Sequence, residues 1–177
     1  MTHRRTDFLI LFILGAAGYA NGQILGGDEH FPIIKELRWE STMEEARTVC
    51  ERSRVSPDIN DSVVVVTIPL LGFTARTEFQ FNQSRQSLKS VQAKFNEANA
   101  ALVDSVTGFF TRTLGRPPVR TAKEKSLILF TVRLEMAVWR AAWGMVNLVT
   151  AKQGNSFLEA SLVFFPPTIQ QSPAANQ

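Results

Sequence analysis

Apolar residues recur along this chain at two spacings, and the places where the spacing changes outline its elements. Behind Trp39, the residues Met43, Ala46, Val49 and Cys50 fall three or four apart, the period of one helical face. They predict a helix over residues 42–52, with Cys50 on its core-facing side. Ser41, followed three residues later by Glu44, has the form of a capping box, in which a hydroxyl and a carboxylate satisfy the free amides of a first turn. Residues 53–62 read as a loop. "VVVVTIPLL" after them is a β-branched run that suits a strand, with Pro69 marking a break or an edge. In "GFTARTEFQFN" the period drops to two: Phe73, Ala75, Thr77, Phe79 and Phe81 alternate with Thr74, Arg76, Glu78, Gln80 and Asn82. "NQSRQS" turns the chain, and "LKSVQAKF" returns with Val91, Ala93 and Phe95 on one face.

From Asn96 the helical period comes back. Leu102, Val106, Phe110 and Leu114 form a stripe, and Gly115 with two prolines ends it, so a second helix is expected over residues 97–114. "RPPVRTAKEK" has the composition of a loop. Residues 128–139 alternate again, with Ile128, Phe130, Val132, Leu134, Met136 and Val138 on one face. Leu129, Thr131, Arg133, Glu135, Ala137 and Trp139 make the other. The second face is polar only in its middle, which leaves a buried helix as an alternative to a long strand. "RAAWG" and "QGNS" turn the chain on either side of "MVNLVTAK", and "FLEASLVFF" closes the pattern. The order is helix, three strands, helix, three strands. It predicts an α+β fold of approximate tandem αβββ units, residues 33–95 and 96–165, with helices packed on one face of an antiparallel sheet.

The ends of the chain differ from this body. A basic leader followed by "FLILFILGAAGYA" is too short an apolar run to span a bilayer, which needs about 20 residues. It reads as a signal peptide over residues 1–20, with cleavage after Ala20 or after Gly22, the alternative being an uncleaved anchor. Residues 21–32, rich in glycine and acids, read as a flexible leader, and residues 166–177 as a disordered tail. The expectation is an exported protein, periplasmic or secreted. Loss of Arg4, Arg5 and Asp7 with the signal leaves 17 basic and 15 acidic side chains. So even a balance gives little drive toward nucleic acid or anionic lipid.

Candidate chemistry is sparse. Cys50 is the single cysteine, so no internal disulfide is available. Its position near the C-terminal end of a helix disfavours a thiolate. His30, beside Asp28 and Glu29 in the leader, lacks the rigid set of ligands a metal requires. Neighbouring carboxylates such as Glu44 and Glu45 point apart on a helix, and no glycine-rich phosphate loop follows a strand. The sequence therefore gives no catalytic residues, no metal ligands and no cofactor, and an enzyme is not expected.

The tryptophan and serine ahead of "MEEAR", the hairpin through "TEFQFNQSRQSLKSVQAKF", the helix ending "LGRPP" and the strand end "AVWR" resemble, in pattern, small exported bacterial domains of the BamE (SmpA/OmlA) and β-lactamase-inhibitor-protein-like group. The resemblance covers residues 37–165 and implies a module that contacts other proteins at the cell envelope without catalysis. This chain departs from the BamE lipoproteins in lacking a lipid-carrying cysteine after its signal.

If Phe79 and Val132 point inward, strand parity sends Arg76, Glu78, Gln92, Arg133, Glu135 and Trp139 outward. Trp139, Arg140 and Trp143 then gather at one hairpin. Tryptophan and arginine are enriched among residues that dominate binding energy, so Trp139, Arg140, Trp143, Arg76 and Arg133 are the expected partner-binding residues. A bulge that turns Trp139 into the core is the alternative. The expected function is non-enzymatic binding of another envelope or secreted protein; the alternative is carriage of a small apolar ligand or lipid, which the many phenylalanines permit.

Overall fold

The computed structural model describes residues 23–83, 87–126 and 130–167. The signal stretch 1–20, the tail from residue 168 onward and Ile128 and Leu129 of the long-strand expectation lie outside the described residues.

Helix α1 spans Met43–Arg52, and its capping box sits one residue later than the sequence suggests. The Thr42 hydroxyl accepts from the Glu45 amide at 3.2 Å, while the Glu45 carboxylate accepts from the Thr42 amide at 2.9 Å. Ser41 instead accepts from the Arg38 amide at 3.0 Å and turns the chain just before the helix. Ala46, Val49 and Cys50 are buried, as their spacing predicts. Helix α2, Ala100–Leu114, begins where the Asn99 side chain accepts from the Leu102 amide and stops at Gly115, whose φ of 65° is the left-handed cap glycine adopts freely.

The strands are β1 (Asp58–Asn60), β2 (Val63–Leu70), β3 (Phe73–Asn82), β4 (Ser87–Phe95), β5 (Val119–Ser126), β6 (Thr131–Ala141), β7 (Gly144–Gln153) and β8 (Ser156–Phe165). They form one antiparallel sheet in the order β1-β2-β3-β4-β8-β7-β6-β5. This corrects the expected fold: the molecule is mainly an eight-stranded sheet with two α-helices among the described residues, and not a balanced α+β array of αβββ units. Two strands escaped because neither alternates. β1 has three exposed residues, and all eight residues of β5 are exposed. Pro69 is accommodated near the end of β2, beyond the short stretch that β1 pairs, where no neighbour needs its missing N–H.

Both helices lie on one face of the sheet, α1 over β2 and α2 over β6. The core between them contains Ile68 and Leu70 of β2, Phe79 of β3, Val91 and Ala93 of β4, and Leu162 and Phe164 of β8. Residues 21–32 are not a free leader, as far as they are described. Ile24, Leu25 and Phe31 are buried, and the Ile24 amide donates to the Leu37 carbonyl at 3.2 Å. The Phe31 ring packs 5.4 Å from Phe109 and meets Phe164 edge-on at 6.0 Å. The packed domain thus begins about ten residues before Ile33, because this stretch supplies apolar side chains that the two helices do not.

Candidate protein-binding face

Antiparallel pairing puts opposed residues on the same side of a sheet, so the register sorts every strand residue into one of two faces. The helix side is packed by α1, α2 and the segment before α1, except at its β5–β6 end. On the other side a row runs through Glu78, Gln92, Val163, Asn147, Val138 and Val119. A neighbouring row runs through Arg76, Lys94, Ser161, Val149, Met136 and Thr121. This open face has two characters. Toward β3 and β4 it is charged, with Arg76 3.4 Å from Glu78 and Lys94 3.0 Å from Glu159. Toward β5 and β6 it is apolar: Val119 is 70% exposed and Leu134 42%, beside half-buried Met136, Val138 and Val149. Lys123 opposes Leu134, Lys125 opposes Val132 and Arg140 opposes Met145, so three exposed cations frame the apolar area.

The expected partner-binding residues are divided by this geometry. Arg76 and Arg140 are exposed on the open face, with Glu78 and Gln92 beside Arg76. Trp139 and Trp143 are not on it. Trp139 is 1% exposed and packs its ring 5.4 Å from Phe110 of α2. Trp143 is buried at the β6–β7 turn, where its carbonyl accepts from the Trp39 indole at 2.6 Å. The tryptophan that precedes α1 thus pins the tip of a distant hairpin. No bulge in β6 is needed to turn Trp139 inward, because the pairing of β6 with both neighbours is regular. The whole strand has the opposite parity from the one expected, with Ala137 and Trp139 inward and Val132, Leu134, Met136 and Val138 outward. The hydrophobic face of β6 is the open one, whereas its alternation predicts that face in the core.

Arg133 and Glu135 move to the helix side for the same reason. There Arg133 lies 3.0 Å from Glu135, and Lys152 donates to Glu135 at 2.9 Å. The Lys152 hydrogen bond above all, with the charges of Lys152, Arg133 and Arg120 adding to it, holds the Glu135 carboxyl below its ordinary value. These groups border a cleft of about 300 Å³ beside Val103 of α2, floored by Ala137, Leu148 and Thr150. The carboxylate already has two cationic partners, so the cluster reads as a satisfied ion-pair network at the edge of the core.

Other reactive groups are accounted for by packing. Cys50 is fully buried, and burial pushes its thiol up, away from the reactive thiolate. The His30 Nδ1 sits 2.8 Å from an Asp28 carboxylate oxygen, and its ring lies 5.5 Å from Phe109, which ties an exposed turn onto α2. Among the described residues no group of three or more His, Cys, Asp or Glu side chains is placed to hold a metal ion, and no helix is long and apolar enough to cross a membrane. No protein-family model, curated protein or solved structure matches the chain.

Proposed function

We propose that this is an exported, non-enzymatic module that binds another protein through the β5–β6 half of its open sheet face. One observation carries the reading: Val119, Leu134, Met136 and Val138 present a contiguous apolar surface on the side of the sheet away from both helices. Scattered surface leucines and valines are ordinary, whereas a contiguous apolar area rimmed by polar groups marks an interaction site. The rim here is Lys123, Lys125 and Arg140, which favours a partner surface with an apolar centre and an acidic border. The pattern resemblance to envelope domains that work by contacting proteins points the same way. Carriage of an apolar ligand has less support, because Phe31, Phe110, Trp139 and Phe164 fill the space between helices and sheet with ring-to-ring contacts.

The test is crosslinking and affinity capture from the exported fraction of the protein's own cells, with wild type compared to Leu134→Asp and to a control, Arg54→Asp, away from the sheet. The reading expects one reproducible partner, kept by the control and lost by Leu134→Asp while circular dichroism shows an unchanged fold. Equal capture by all three chains removes the open face from the interaction.

A further inference from the structure

The sheet ends in two unlike edges. β1 offers three residues, too few to pair with anything for long. β5 offers eight, all exposed, and among the described residues it is hydrogen-bonded to β6 on one side only. A long free edge is a template for another strand, and natural proteins blunt such edges with charge. The charges of β5 follow a pattern that does not repel every comer. On its helix side the order is Arg120, Ala122, Glu124, since these residues oppose Ala137, Glu135 and Arg133. Neither Arg120 nor Glu124 makes an ion pair among the described residues: Glu135, on which the Arg120 charge also acts, is paired with Arg133 and Lys152, and Glu124 opposes Arg133 without an ion pair.

We infer that β5 pairs with β5 of a second copy of this chain, antiparallel and centred on Ala122, to make a two-fold dimer with one continuous sheet. Two identical strands can pair antiparallel in a shared sheet only about an axis normal to it, and opposed residues must then lie on the same face. The axis passes through one residue of the strand, which leaves few registers. Centring on Lys123 sets two lysines directly against each other. Centring on Thr121 leaves Glu124, Lys125 and Ser126 overhanging and places Arg120 against an alanine. Centring on Ala122 is the register in which the strands overlap over residues 119–125. There Arg120 opposes Glu124 of the second copy, and Glu124 opposes its Arg120. The two small Ala122 side chains meet at the axis. On the open face Lys123 opposes Thr121 and Lys125 opposes Val119. The two Lys123 side chains fall on the diagonal, about 7–8 Å apart, where both reach solvent.

The same pairing joins the apolar areas of the two open faces, since Val119, Leu134 and Val138 lie on the strands nearest the axis. The dimer goes beyond the binding reading above and stands without it, because association is measured on the pure chain with no partner present.

Sedimentation velocity with light scattering gives the mass in solution for wild type, Arg120→Glu and Glu124→Arg. Wild type is expected at twice the chain mass. Each single variant turns both symmetric pairs into like-charge contacts and should weaken association by on the order of tenfold or more. Arg120→Glu mixed with Glu124→Arg restores both pairs between unlike chains, so the mixture should form a heterodimer of near wild-type strength. The double variant R120E/E124R should also dimerise with itself. Both side chains are exposed, and circular dichroism verifies that each variant is folded. A wild type that stays monomeric at the highest soluble concentration overturns the proposal. So does a dimer that neither single variant weakens, or a mixture that fails to recover.

Discussion

Trp139 sends its indole into the core while Val138 and Arg140 on either side of it reach the open face. That alternation makes it the residue at which a structural role and a binding role separate most cleanly. Its ring packs on Phe110, and its indole N–H finds no acceptor among the described residues. Truncation to alanine opens a cavity in the centre of the core and should cost about 3–5 kcal/mol. Phenylalanine keeps most of the ring and removes a buried donor that makes no hydrogen bond, so Trp139→Phe should cost far less. Urea denaturation of the two variants measures the difference. A loss under about 1 kcal/mol for the alanine variant contradicts the core position. Leu134, five residues earlier and 42% exposed on the other face, should show the reverse, with little change in stability and loss of the partner.

At the scale of elements, the β6–β7 hairpin depends on one glycine. Gly144 has a φ of 149° and opposes Ala141 across the two-residue turn, and a Cβ there would stand 2.1 Å from the Phe165 carbonyl oxygen. That oxygen belongs to the backbone of β8, which cannot swing aside as a side chain would. Gly144→Ala should therefore cost roughly 2–4 kcal/mol and loosen the Trp39–Trp143 hydrogen bond. Thermal unfolding with tryptophan fluorescence reads both effects; a variant as stable as wild type refutes the close approach. The elements also show what the sequence made legible. β3 alternates apolar with polar residues along its length and packs as that pattern says, with Ala75, Thr77, Phe79 and Phe81 buried. Helix α2 and its glycine stop are as legible, because burial on one side only imposes a period. The alternation of β6 predicts its faces exchanged because the open side there is itself apolar, so hydrophobicity no longer marks the core. The candidate face was hidden for that reason, and Ala137 beside Trp139 was too weak a signal of the buried side. β5 was invisible to periodicity since no residue in it is buried. Arg76 was placed correctly and Arg133 was not, each following the parity of its strand.

The whole molecule closes around a segment whose first part composition marks as a flexible leader. Gln23 forms an isolated antiparallel bridge with Arg38, and between them Ile24, Phe31, Ile33, Ile34 and Leu37 are buried under short 3-10 turns. Phe31 touches both α2 and β8, so it joins the second helix to the middle of the sheet. A chain that begins at residue 33 loses Ile24, Leu25 and Phe31 together. Full burial of each such side chain is worth about 1.5–3 kcal/mol, and the aromatic cluster left behind would open a cavity as well. Domains of this size have a net stability of only about 5–15 kcal/mol, so the loss is a large part of the whole. The expectation is that a chain starting at Gln23 unfolds cooperatively in urea, while one starting at Ile33 has a much lower midpoint or no cooperative transition. Equal midpoints would show that the segment rests on the domain without stabilising it.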